Sequence, residues 1–99
     1  MFVALLKFAD EKAKAKDFME AHNAWLRQGF DDGVFLLAGS LKPGPDQAGG
    51  GAILAHSIDK EALQARLNED PFVMHRVVET DILEIAPSKA GAQMQFLLG

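Results

Sequence analysis

A chain of 99 residues with 48% hydrophobic and 24% charged side chains and a formal net charge of −4 has the size of one globular domain with a modest core. That acidic balance excludes the clustered lysine and arginine footprint of a nucleic-acid binder. The chain has no cysteine, which excludes disulfides, thiolate catalysis and cysteine-based zinc sites.

Residues 1–6 are apolar, but Lys7 ends the run. The segment is too short to span a membrane and lacks the basic region and cleavage site of a signal peptide. It predicts a first strand over residues 2–8. No membrane partner is expected, and a cytoplasmic location follows by default. Lys12, Lys14 and Lys16 alternate with alanines beside Asp10, Glu11 and Asp17, the pattern of a solvated helix start. The helix is expected to run to about Phe30. Phe18, His22, Trp25, Leu26 and Gly29 recur at spacings of three and four and so share one face.

Asp31-Asp32-Gly33 signals a turn, and residues 34–41 form a second apolar strand. Residues 42–51 are rich in proline and glycine and predict a flexible connection. They contain no Gly-Lys-Ser/Thr and lead into a strand, so they are neither a P-loop nor a dinucleotide fingerprint. A third strand is expected over residues 52–56. Asp59 is a candidate N-cap for a second helix carrying Ala62, Leu63, Arg66 and Leu67. Asp70-Pro71 opens a further short helical turn, with Asp at the N-cap and Pro at the first helical position. The last strand is expected over residues 76–85, ended by Pro87. The domain is therefore assigned to residues 1–87. Residues 88–99 form a C-terminal tail whose Met94, Phe96, Leu97 and Leu98 are expected to dock, either on the same subunit or across a dimer, where they could wall a pocket.

The order β-α-β-β-α-β predicts an α+β, ferredoxin-like split motif with an antiparallel sheet and helices on one face. The other face of such a sheet should be polar, yet strand one places Val3 and Leu5 opposite Phe2, Ala4, Leu6 and Phe8. Strand two places Val34, Leu36 and Ala38 opposite Phe35, Leu37 and Leu41. Two apolar faces predict a homodimer joined sheet to sheet.

The same topology brings the start of helix one, the end of strand two and the end of helix two to one rim. His22 and Asp70 meet there, a pairing that suits an acid/base dyad in which the carboxylate fixes the imidazole tautomer. Ser40 ends strand two at the same rim. No HxH, HxxxH or HxxE spacing joins His22, His56 or His75, so no metal is expected.

Three ordered landmarks carry a resemblance: His22 within Glu20-Ala21-His22-Asn23-Ala24-Trp25-Leu26, the strand Gly33-Val34-Phe35-Leu36-Leu37-Ala38-Gly39, and Asp70-Pro71-Phe72. Together, over roughly residues 1–87, the sequence resembles the YciI-like (YCII-related) proteins. The resemblance implies a dimeric α+β barrel of ferredoxin-like subunits and an active site with a His–Asp pair, which falls on His22 and Asp70. A relative acts as a dehydrochlorinase on chlorinated hydroxyquinols, and muconolactone isomerases share the barrel fold. This chain departs from the family at Gly39-Ser40, where members usually carry Gly-Pro.

The expected function is proton transfer by His22, held by Asp70, on a small organic, cyclic or aromatic substrate, by elimination or isomerisation. Ser40 and Phe72 are the expected substrate-binding residues. No cofactor is expected, because no cofactor motif is present. The alternatives are a non-catalytic ligand-binding or interaction module in which His22 and Asp70 are structural, and an accessory domain acting through the apolar tail. An open cavity beside the His22 ring discriminates between enzyme and module.

Overall fold

A computed structural model describes residues 1–46 and 49–99. Gln47 and Ala48, in the predicted glycine-rich connection, lie outside the described residues. The elements are β1 (Phe2–Phe8), a 3-10 turn (Lys12–Lys14), α1 (Ala15–Asp31), β2 (Phe35–Leu41), β3 (Gly50–Ala55), α2 (Lys60–Leu67), α3 (Pro71–Met74), β4 (Val78–Glu84) and a C-terminal 3-10 helix (Ala92–Leu98). All strand pairs are antiparallel and the sheet order is β2-β3-β1-β4. This is the ferredoxin-like α+β arrangement. Among the described residues no helix is long and apolar enough to cross a membrane.

The core lies between the helices and one sheet face. Alternation along β1 sends Phe2, Ala4 and Leu6 inward, where they bury with Ile53 and Ala55 of β3 and Val78 of β4. Leu63 and Leu67 of α2 close on this layer and are fully buried. α1 comes so close to β2 that a Cβ at Gly29 would lie 2.1 Å from the Phe35 ring. Only glycine permits that approach. α1 and α2 are tied by Trp25 Nε1, which donates to the Arg66 carbonyl at 3.1 Å. Both expected N-caps form: Ala62 N donates to Asp59 Oδ1 and Phe72 N donates to Asp70 Oδ1.

Two strand starts and one register differ from expectation by more than a residue at a strand end. β3 begins at Gly50 rather than residue 52, because Gly50 and Gly51 pair with Lys7 and Leu6 of β1. β4 begins at Val78 rather than residue 76, because Arg76 has a φ of 61°, which no strand residue adopts. In β2 a register irregularity between Phe35 and Leu37 breaks the expected alternation. Phe35 turns to the core and is 3% exposed, while Leu37 turns outward and is 60% exposed.

The outer sheet face carries Val3, Leu37, Leu54 and Leu83, aligned across the four strands by the register pairs Val3–Leu54, Leu37–Leu54 and Val3–Leu83. Leu37 and Leu83 are exposed on it. The tail meets the sheet at the far end of β3. There the Phe96 ring sits edge-on to His56 with centroids 5.4 Å apart, leaving Phe96 about half exposed.

Candidate active site

The site lies at the rim where β1 and β2 end, β3 and β4 begin, and α1 starts. Its centre is the contact between His22 Nδ1 and Asp70 Oδ1, 2.7 Å apart, across 48 residues of sequence. His22 reaches it from the buried stripe of α1, and Asp70 from the junction of α2 and α3. Asp70 is fully buried and His22 is 8% exposed.

A carboxylate oxygen accepts, so the proton belongs on Nδ1. That leaves Nε2 without a protein partner among the described residues. The same Asp70 Oδ1 accepts from Phe72 N at 3.0 Å. Asp70 Oδ2 is buried with no partner among the described residues. The carboxylate is thus fixed by two donors on one oxygen, one of them the start of α3.

Phe72 follows Asp70 by two residues, and its ring lies flat against the imidazole, with centroids 4.0 Å apart and planes 4° from parallel. Trp25 lies on the same face of α1, 6.0 Å from the His22 centroid. Imidazole rotation is therefore blocked by Phe72 as well as by the hydrogen bond to Asp70.

A cavity of about 270 Å³ opens beside His22. Its α1 wall is Ala15, Met19, His22, Asn23 and Leu26, positions that share one helical face. Its floor is the sheet. In the inward-facing row, Ser40 pairs with Gly51, and Gly51 pairs with Leu6. Gly51 has no side chain, so the row has a gap where an ordinary residue would fill the space. Phe8, Val78 and Phe72 close the sides.

Of the expected site residues, His22, Ser40 and Phe72 line this cavity, and Asp70 stands behind His22. His75 is not part of it. It stacks on Phe18 with centroids 4.0 Å apart. His56 lies at the opposite end of the sheet, against the tail. Among the described residues no group of three or more histidine and carboxylate side chains could hold a metal.

Sequence reasoning passed over two features of the cavity. Asn23 is one, hidden because it looks like any polar helix residue next to a histidine. The floor glycines are the other, hidden because Gly50 and Gly51 read as loop.

The fold and site define a ferredoxin-like α+β domain with a buried His–Asp pair beside a small cavity. The model of the YCII-related domain matches residues 1–86, and the chain belongs to that family. Among solved structures it is similar to the 5-chloro-2-hydroxyhydroquinone dehydrochlorinase of Burkholderia phenoliruptrix in complex with 2,5-dihydroxybenzoquinone. That similarity has a TM-score of 0.66 at 16% identity over 94% of this chain and 98% of that one. At that identity the likeness is one of fold. No curated protein matches the sequence.

Proposed function

We propose that this protein is an acid/base catalyst that works without a cofactor on a small single-ring organic substrate, by elimination or isomerisation. The observation that carries the reading is the open cavity against an imidazole whose other nitrogen is already anchored. With Nδ1 donating to Asp70, Nε2 takes a proton from the substrate. Asp70 then stabilises the imidazolium that forms. The proton returns to the substrate at a second carbon in isomerisation, or leaves with the departing group in elimination. Phe72 keeps the ring in plane. Ser40 donates to the oxygen on which negative charge develops.

The volume supports a single ring. A cavity of about 150 Å³ already holds benzene, so 270 Å³ takes one substituted ring and excludes a dinucleotide. The fold likeness to an enzyme whose name specifies a chlorinated hydroxyhydroquinone points the same way.

The proposal includes a homodimer formed through the outer sheet face. The aligned, exposed leucines of that face support it, since a water-facing antiparallel sheet is ordinarily polar there. Light scattering should give twice the chain mass, and Leu83→Glu should give the chain mass with unchanged circular dichroism. A wild-type monomer refutes this arm.

The catalytic test does not require the natural substrate. Enolisable ring ketones incubated with the protein in deuterium oxide should exchange their acidic protons, followed by NMR. The exchange should vanish in His22→Gln. Exchange that persists in His22→Gln, or no exchange above buffer across a panel of single-ring ketones, overturns the reading.

A further inference from the structure

We infer that Asn23, with Ser40 across the cavity, selects an uncharged ring compound bearing carbonyl or hydroxyl oxygens over a carboxylate or phosphate. This rests on the cavity being the substrate site and goes beyond it by assigning the class of ligand and the residue that reads it.

Among the described residues, the polar side chains lining the cavity are three: His22, Asn23 and Ser40. His22 is engaged with Asp70. Asn23 and Ser40 carry a carboxamide and a hydroxyl that make no hydrogen bond to described residues. Each can both donate and accept, which matches ketone and hydroxyl oxygens. Asn is also a poor helix former compared with Ala, and it stands in the middle of the 17-residue α1. Its place there is not explained by helix formation.

Charge decides the rest. No lysine, arginine, aspartate or glutamate lines the cavity among the described residues, so no side-chain cation offsets an anionic ligand. The carboxylate of Asp70 is buried directly behind the imidazole, 2.7 Å from its Nδ1. With the imidazole neutral, the pair carries a negative charge. With it protonated, the pair carries none. An anion would therefore lose its water shell to face either repulsion or no net attraction. The start of α1 contributes a partial positive charge at the rim, but Asp17 stands in that first turn.

The probes are 4-hydroxyacetophenone and 4-hydroxybenzoate at pH 6.5, matched in ring and size and differing in a ketone against a carboxylate. Binding is read by titration with NMR detection of the His22 ring. The ketone should bind at least tenfold more tightly than the carboxylate. Asn23→Leu should weaken the ketone about three- to tenfold, the worth of one hydrogen bond, and Asn23→Gln should restore part of that. Asn23 is exposed, so these variants should fold, and Asn23→Ala serves as a second truncation.

If both probes shift His22 with equal affinity, or if Asn23→Leu binds the ketone as the wild type does, this inference falls while the catalytic site stands. If neither probe reaches His22, the inference falls together with the reading of the cavity as a substrate site.

Discussion

Gly50 is the position where the cavity floor and the stability of the sheet meet, and Gly50→Ala should destabilise the protein severely. Its φ is +118°, a region essentially closed to side-chain-bearing residues. A Cβ there would lie 2.1 Å from the Leu6 carbonyl oxygen and 3.2 Å from its carbon. That carbonyl belongs to β1, which is held between β3 and β4 and cannot retreat without breaking a ladder. Backbone strain of about 1–3 kcal/mol adds to an overpacking cost of about 1–3 kcal/mol. The sum is about 2–6 kcal/mol, which for a domain of this size lowers Tm by about 15–30 °C near the middle of that range. Thermal unfolding followed by circular dichroism measures it. Gly39→Ala is the control: a Cβ there meets nothing within 4 Å, so its Tm should stay within a few degrees of wild type. If Gly50→Ala unfolds within about 5 °C of wild type, β1 and β3 are not as close as described and the shape of the cavity floor is wrong.

Asp70→Asn should keep the α3 cap, since Asn caps as well as Asp. It exchanges a charge-assisted hydrogen bond to His22 for a neutral one and leaves an amide donor where Oδ2 is buried, costing about 2–4 kcal/mol in urea unfolding. An unchanged midpoint would refute this account. Arg66 Nη1 donates to Asp32 at 2.9 Å and Gln28 Nε2 donates to it at 2.8 Å, which holds the Asp32 carboxyl below its ordinary 3.8. A lowered folded-state value contributes stability above the unfolded value that is lost as pH falls through the folded one. The gap in unfolding midpoint between wild type and Asp32→Asn should therefore be present at pH 6 and close below pH 3.8, while a gap independent of pH contradicts it. Phe96→Ala should cost about 1 kcal/mol, since a half-exposed phenylalanine loses about half the value of full burial. A Tm identical to wild type would mean that the tail does not hold on to His56.

The helix-borne half of the site was legible in the sequence because its signals are local and periodic. His22 sits on a stripe of spacing three and four, and Asp59 and Asp70 announce helix starts by their chemistry. Strand order then forces Ser40, His22 and Asp70 toward one rim without any contact being known. What was not legible depends on backbone detail. Val34 to Leu37 is a continuous apolar run, so period-two alternation cannot say which residue is doubled, and the irregularity that turns Phe35 inward leaves no mark. Gly50 and Gly51 have turn composition, and only the pairing partners Lys7 and Leu6 make them strand. The flat stack of Phe72 on His22 is a matter of rotamers, beyond the reach of residue spacing. The tail was expected to dock, but its place against His56, away from the cavity, follows from no pattern in residues 88–99.

The position of β1 has a consequence for synthesis. It is the second strand from one edge, with β3 on one side and β4 on the other, and Phe2 pairs with both Ala55 and Glu84. During translation β1 is therefore made before both of its neighbours, and its second edge is paired only once β4 has followed. At about 5–20 residues per second, it waits roughly 4–16 s with an apolar edge unpaired. His22, 48 residues ahead of Asp70, waits about 2–10 s for it at the same rate. The nascent chain is thus most in need of a chaperone, or of a partner strand from a sister chain, in the interval when β1 has been made and β4 has not.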